Sequence, residues 1–166
     1  MAAAPYFASF RFQVWFTADR VPAAGDTPTM SDAGFSEVAG LEANIDVKSY
    51  AEGGRAEGNR QLVGRTTYPN LVLKRGMSRN FESWQWFTNV ARGVRPVPRK
   101  GIIIELLDTS DRTQVVARWL VSSAVPVKMR CNDLNARTGE VAIEELHLAH
   151  EGLELEIDPA SPPGGG

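Results

Sequence analysis

The 166-residue chain has little with which to do chemistry: one cysteine, Cys131, and two histidines, His147 and His150. A lone thiol excludes an internal disulfide framework and any zinc site built from several thiolates. No run of about 18 apolar residues occurs, which excludes a membrane-spanning helix. The N-terminal stretch MAAAPYFASFRFQVWF has no basic residues ahead of its apolar part, and Arg11 interrupts it, so a secretory signal is not expected. There is also no G-x-S-x-G, no P-loop, no dinucleotide fingerprint and no H-E-x-x-H. Gly53 and Gly54 sit in a mixed-charge loop without the following helix that a phosphate cradle needs. The formal net charge of −2 argues against general nucleic-acid binding.

What is present suits one soluble, folded domain. Apolar residues make up 43% and charged residues 23%, enough for a real core in a chain of this length and too apolar for disorder. Charge is unevenly spread. Residues 1–43 carry +2 and −5, residues 44–100 carry +11 and −4, and residues 101–139 carry +5 and −4. Residues 140–166 hold seven acids and no base. These segments either neutralise each other inside one fold or lie on opposite surfaces and meet in neighbouring copies, a head-to-tail contact that closes into rings or grows into filaments.

Periodicity favours strands. Phe10, Phe12, Val14 and Phe16 alternate with Arg11, Gln13 and Trp15. Residues 18–34, rich in Gly, Pro, Asp and Thr, read as an extended loop. A short strand is expected over Phe35–Glu42, its alternation breaking at Gly40. Ile45, Val47 and Ser49 then alternate with Asp46, Lys48 and Tyr50. Residues 51–62 read as a projecting loop, after which TTYPNLVLKRG returns to strand, with Leu71 and Leu73 on one face and Pro69 at an edge. In NFESWQWFTNVARG, Phe81, Trp84, Phe87 and Val90 or Ala91 recur at helical spacing, with Ser78 or Asn80 as caps and Gly93 as the stop. Trp86 lies off that stripe and reads as a rim or contact aromatic. GIIIELL and TQVVARWLV form a hairpin about DTSDR, and AVPVKMRCNDL and EVAIEELHLAH add two strands. Val141 and Ile143 share one parity and Leu146 and Leu148 the other, which predicts a bulge near Glu144 and Glu145. The domain is read as residues 1–157, with 158–166 (DPASPPGGG) as a flexible tail.

Catalytic and ligand sites do not assemble. His147 and His150 would point to opposite faces of a strand, a poor geometry for shared metal ligation. Glu144, Glu145, Glu151, Glu154 and Glu156 lack calcium-loop spacing, and a solvated or interface-facing charge run explains them better. Cys131, with no histidine near it in sequence, reads as structural. No cofactor, metal or catalytic residue is expected, and a structural or assembly protein is the leading class.

Several segments, in order, resemble the phage tail-tube protein family of contractile phage tails, tailocins and extracellular contractile injection systems. They are YFASFRFQVWF, GFSEVAGLEANIDVKSYAEGG, RQLVGRTTYPNLVLKRG, ESWQWF, VARWLVSSAVPVKM and DLNARTGEVAIEELHLAHEGLE, spanning about residues 6–155. GRTTYPNLVLKRG followed by EVAIEELHLAHEGLE is the most specific pair. The resemblance implies a mainly β fold, a barrel or sandwich with one flanking α-helix, and no enzymatic activity. It also implies hexameric rings sharing a continuous inner β-barrel, stacked into a tube that is driven through a target envelope. Four strands from each of six subunits, about 4.8 Å apart and tilted about 40°, give a backbone diameter of roughly 48 Å. Implied partners are further copies of the chain, a sheath protein, a baseplate hub or initiator and tube-capping proteins, with a protein effector or DNA as possible luminal cargo. Assembly in the bacterial cytoplasm, into a phage tail or an extracellular particle, is implied in the same way.

As assembly-interface candidates the sequence offers Arg65, Tyr68, Lys74, Arg75, Trp86, Glu140, Glu144 and Glu145. In axial stacking, the basic 44–100 region of one ring would meet acids of the next, so that Arg65→Glu would be rescued by Glu140→Arg or Glu144→Arg. The 18–34 loop is longer than the family's usual turn, and the tail extends past its usual end at HEGLE. An initiator or adaptor at the baseplate hub is the alternative role. A monomeric β-barrel binding a small ligand in a closed apolar interior is the alternative from another class.

Overall fold

The alternating N-terminal segment forms the strand its pattern demands: β1 (Phe12–Thr17) buries Val14, Phe16 and Thr17 and leaves Gln13 exposed. The structure, a computed structural model, describes residues 11–18, 20–23, 26, 28–30, 34–54, 58–111 and 113–157. The first part of YFASFRFQVWF, parts of the 18–34 and 51–62 loops and the tail 158–166 lie outside the described residues.

After β1 come β2 (Pro28–Met30), β3 (Glu37–Ala39), β4 (Asn44–Tyr50), β5 (Arg60–Thr67) and β6 (Leu71–Gly76). Then follow α1 (Glu82–Ala91), β7 (Lys100–Leu107), β8 (Val115–Cys131), β9 (Ile143–Ala149) and β10 (Gly152–Ile157). One sheet runs β2-β1-β7-β8-β9-β6-β3, with β10 also on β8, while β4 and β5 pair only with each other. Up to Ala124, β8 pairs with β7, and from Val125 it pairs with β9. The sheet therefore has two halves hinged on one strand. Their inner faces close on a shared core of Phe16, Ile102, Ile104 and Val121 from one half and Leu71, Leu73, Leu146 and Leu148 from the other. At the hinge Ser123 takes a φ of 53°, its N–H donates to the Arg20 carbonyl at 2.6 Å, and its carbonyl accepts from Arg99 at 3.1 Å.

Several expectations need correction. Strand character resumes earlier than TTYPNLVLKRG: RQLVGRTT forms β5 and pairs with β4, while LVLKRG, as β6, pairs with β9 and β3. The projecting loop is correspondingly shorter, since residues 60–62 are already strand. Within the 18–34 segment, Pro28–Met30 adds a strand to β1. The Phe35–Glu42 strand is only three residues long, because Gly40, at φ 90°, turns the chain where a β-carbon would overlap the Asn70 carbonyl. VVARWLV and AVPVKMRC are one 17-residue strand, not two. GLELEI, left unassigned by the sequence reading, lies on the Ala117–Ser122 stretch of β8 as β10.

Two corrections concern polarity. No bulge interrupts β9, which keeps register with β6 from Ile143↔Gly76 to Leu148↔Leu71; the irregularity falls on β8, between Pro126 and Lys128. The phase is kept because Glu144 occupies an inward position opposite Arg75, so a charged pair stands where two apolar residues would continue the pattern. In α1 the buried face is Ser83 and Trp86, with Val90 partly buried against the core, and Phe81 is 51% exposed. Trp86 is thus a core residue rather than a rim aromatic. Its ring meets Phe16 edge-on at 5.9 Å, and its Nε1–H donates to the Pro98 carbonyl at 2.6 Å. Asn80 Oδ1 does accept the Glu82 N–H at 3.0 Å, and Gly93, at φ 77°, ends the helix as expected.

Candidate assembly surface

The β4–β5 hairpin stands apart from the rest of the molecule. All seven residues of β4 and all eight of β5 are exposed, although Ile45, Val47, Leu62 and Val63 are among them. Register sorts the side chains into two faces. Ile45, Val47 and Ser49 lie opposite Thr66, Val63 and Gln61, and none of the six is charged. Lys48 and Tyr50, opposite Leu62 and Arg60, make the other face. A bulge between Ile45 and Val47 holds the pattern, and Gly64 is needed there because a β-carbon would come within 2.9 Å of the Asp46 carbonyl. A lone two-stranded hairpin is marginal in water. This one leaves Ile45, Val47 and Val63 open to solvent on a face without charge.

The hairpin is anchored at its base by Tyr68 and His150. Their rings lie 5.2 Å apart, and His150 Nδ1 contacts the Gly152 carbonyl at 3.1 Å. The Nε2 atom is buried without a hydrogen-bond partner among the described residues, and the Pro69 carbonyl lies near the ring. Burial pushes the His150 pKa below its ordinary value, opposed by those two carbonyls.

The eight residues singled out from sequence fall into two groups. Arg65 lies on the hairpin and Glu140 on the turn before β9; both are exposed and neither forms an ion pair among the described residues. Tyr68, Lys74 and Glu145 are half-buried at the surface. Lys74 pairs with Glu37 at 3.1 Å, and Glu145 meets His147 at 3.3 Å and Arg130 at 4.0 Å. The hydrogen bond from His147 is the largest of the effects that lower the Glu145 pKa. Arg75, Trp86 and Glu144 are interior, which corrects their reading as surface contacts. Arg75 Nε is ion-paired with Glu144 Oε1, Arg75 also donates to the Asn80 carbonyl at 3.0 Å, and Trp84 Nε1–H donates to Glu144 Oε2 at 2.9 Å. Through these contacts Glu144 on β9 is tied to Arg75 on β6 and to Trp84 on α1.

This bears on the charge segregation. Arg75–Glu144 and Arg99–Glu151, at 3.2 Å, join the basic middle to the acidic end within one chain. Neutralisation inside the fold therefore accounts for part of the asymmetry. A stacking contact through Glu144 is ruled out by its burial, leaving Arg65 and Glu140 as the exposed pair. The hairpin itself was read from sequence only as strands around a loop, and its all-round exposure left no signal beyond the many polar residues in RQLVGRTT.

Among the described residues no three His, Cys, Asp or Glu side chains group as a metal site, and no helix is long and apolar enough to cross a membrane. The sheet path ends at β2 and β3 and does not close on itself among the described residues.

A family described as T4-like virus tail tube protein gp19 matches residues 8–154. Among solved structures, a chain from the six-fold symmetrised baseplate of the anti-feeding prophage is similar at 26% identity and a TM-score of 0.77, covering 95% of this chain and 99% of that one. A chain of the sheath–tube complex of the PVC extracellular contractile injection system, in the extended state, is similar at 21% identity and TM-score 0.72, with 92% and 93% covered. A chain of the anti-feeding prophage tube-terminating cap is similar at 21% and 0.73, with 95% of each covered. No curated protein sequence gives a significant match.

Proposed function

The chain belongs to the T4-like virus tail tube protein family, and from that premise we propose that it is a structural subunit of the inner tube of a contractile injection system or phage tail. Six copies form a ring, and rings stack into a hollow tube that is driven through a target envelope and conducts cargo. The family's role is structural rather than enzymatic. The observation that carries the reading is the β4–β5 hairpin, whose uncharged face, with Ile45, Val47 and Val63, finds no cover among the described residues of its own chain. A ring of copies supplies that cover, and it also removes the free edges that an open sheet presents to solvent. The partners that follow are neighbouring copies, a sheath protein and the baseplate hub, with a protein effector or DNA in the lumen. Assembly would take place in the bacterial cytoplasm.

A second reading is favoured by a specific finding: the similar structures include the anti-feeding prophage baseplate and tube-terminating cap. An initiator or adaptor that joins the tube to another component has the same subunit fold and stops at one ring. Negative-stain electron microscopy of the purified protein across a concentration and salt series separates the two. Long hollow tubes support the bulk subunit, discrete single rings support the adaptor, and monomers that persist even when co-expressed with baseplate components defeat both. Arg65→Glu should reduce stacking and Glu140→Arg should restore it; unaltered tubes in the single variant would remove those residues from the contact.

A further inference from the structure

Among the described residues a second apolar surface, besides the hairpin, is open. A groove of about 270 Å³ lies where β3 meets the β1–β7–β8 half of the sheet. Phe12, Val38, Leu41, Ile104, Leu106 and Trp119 line it, and Ser36 and Glu37 are its polar walls among the described residues. Four of these side chains, Phe12, Val38, Leu41 and Trp119, pack against the core and yet stay only partly buried. The groove is the mouth of the sandwich, which none of the described residues caps on this side.

We propose that this groove seats the uncharged face of the β4–β5 hairpin of a second copy. The inference rests on the tube reading and adds to it the surface that receives the hairpin. The chain's own hairpin starts at the lip of the groove, since Leu41 lines the groove and β4 begins at Asn44. Three residues reach about 10 Å, and the seven residues of β4 extend about 23 Å beyond. That hairpin is exposed on both faces, so it runs away from its own groove and does not cover the mouth. The chemistries match: Ile45, Val47 and Val63, without a charge on their face, meet a groove whose walls are mostly aliphatic and aromatic. Lys48 and Arg60, on the opposite face, remain in water. Because the inserted surface and the receiving surface are different parts of the chain, the contact is head-to-tail. Each copy gives one hairpin and accepts one, an arrangement that closes as a ring or continues as a stack.

Paired cysteines test this directly in a Cys131→Ser background. Ser36→Cys at the groove wall and Val63→Cys on the uncharged hairpin face should oxidise to a ladder of linked subunits on a denaturing gel. Ser36→Cys with Lys48→Cys, which reports the other face, should stay monomeric, because a disulfide needs β-carbons within about 3.5–4.5 Å. Val47→Cys replaces Val63→Cys as a second reporter, and unchanged circular dichroism melts show that each variant folds. Rings or tubes in the micrographs with no ladder, or with equal ladders from both faces, would overturn the groove assignment while leaving the tube reading standing, and would give the groove to another partner. Ladders without rings or tubes would keep the contact and defeat the tube. Neither ladders nor assemblies at any concentration would overturn both.

Discussion

Arg75 and Glu144 show how a single position can hide the periodicity of a strand. On β6 the inward residues are Leu71, Leu73 and Arg75, and on β9 they are Glu144, Leu146 and Leu148, each opposite its partner. Read by hydrophobicity, EVAIEELHL changes phase at the two glutamates and asks for a bulge. Read with its neighbour, it never changes phase, because the Arg75 guanidinium takes the place of an apolar partner. Only the pairing of two distant segments reveals this, and sequence alone does not say which strands pair. The prediction is asymmetric. Glu144→Ala leaves Arg75 buried without its carboxylate and should cost about 3–5 kcal/mol in urea unfolding, whereas Arg75→Met with Glu144→Leu should lie near the original stability or above it. Trp86 was misplaced for a related reason: Phe81, Trp84 and Phe87 outnumber it on a helical wheel, yet the sheet lies under Ser83 and Trp86. His150 gives a second prediction at this scale. Its folded pKa is held below the ordinary 6.5 by burial, so the unfolded chain takes up the proton first. Stability then falls as pH drops from about 6.5 through the lowered folded pKa. The melting temperature should decline across that interval, and in His150→Gln the decline there should largely vanish.

At the scale of elements, strands with one buried face were readable from their alternation. β1 and β6 follow FQVWF and LVLK closely, because burial on one side imprints a period of two, whereas β7 is legible as the continuous apolar run of a strand buried on both faces. The readings that failed lacked that imprint. β5 has no buried residue to set its phase, and β8 turns from one half of the sheet to the other at a serine, a residue with no strong sequence signature for such a turn. The hairpin owes its stability to whatever covers it, and hydrogen exchange can show this. Amides of β4 and β5 should exchange fast in dilute monomer, near the rates of frayed segments, and slow by orders of magnitude once copies associate. Those of β7 and the first half of β8, flanked by partner strands, should be slow in both states. Equal protection of the hairpin with and without association would mean that it is covered within its own chain.

For the whole molecule, the ordered motifs identified the family across nearly the full chain, since segments such as GRTTYPNLVLKRG combine the base of the hairpin, strand register and core in one stretch. The surfaces were not readable in the same way, because an exposed apolar residue in sequence looks like a buried one. Separating folding from assembly tests that distinction. Val47→Asp with Val63→Asp, at positions 55% and 78% exposed, should shift the unfolding free energy by no more than about 0.5 kcal/mol. The same pair should abolish rings and tubes in light scattering and electron microscopy. β8 carries a mechanical consequence. Its 17 residues extend about 56 Å, entering one half of the sheet and leaving through the other without a break in the backbone. Thrust applied along that strand passes through covalent bonds, while the ladders on β7, β9 and β10 are loaded in shear, many hydrogen bonds at once, rather than peeled one by one. A wall made of such subunits would be stiff along the strand and would yield first at the contacts between copies.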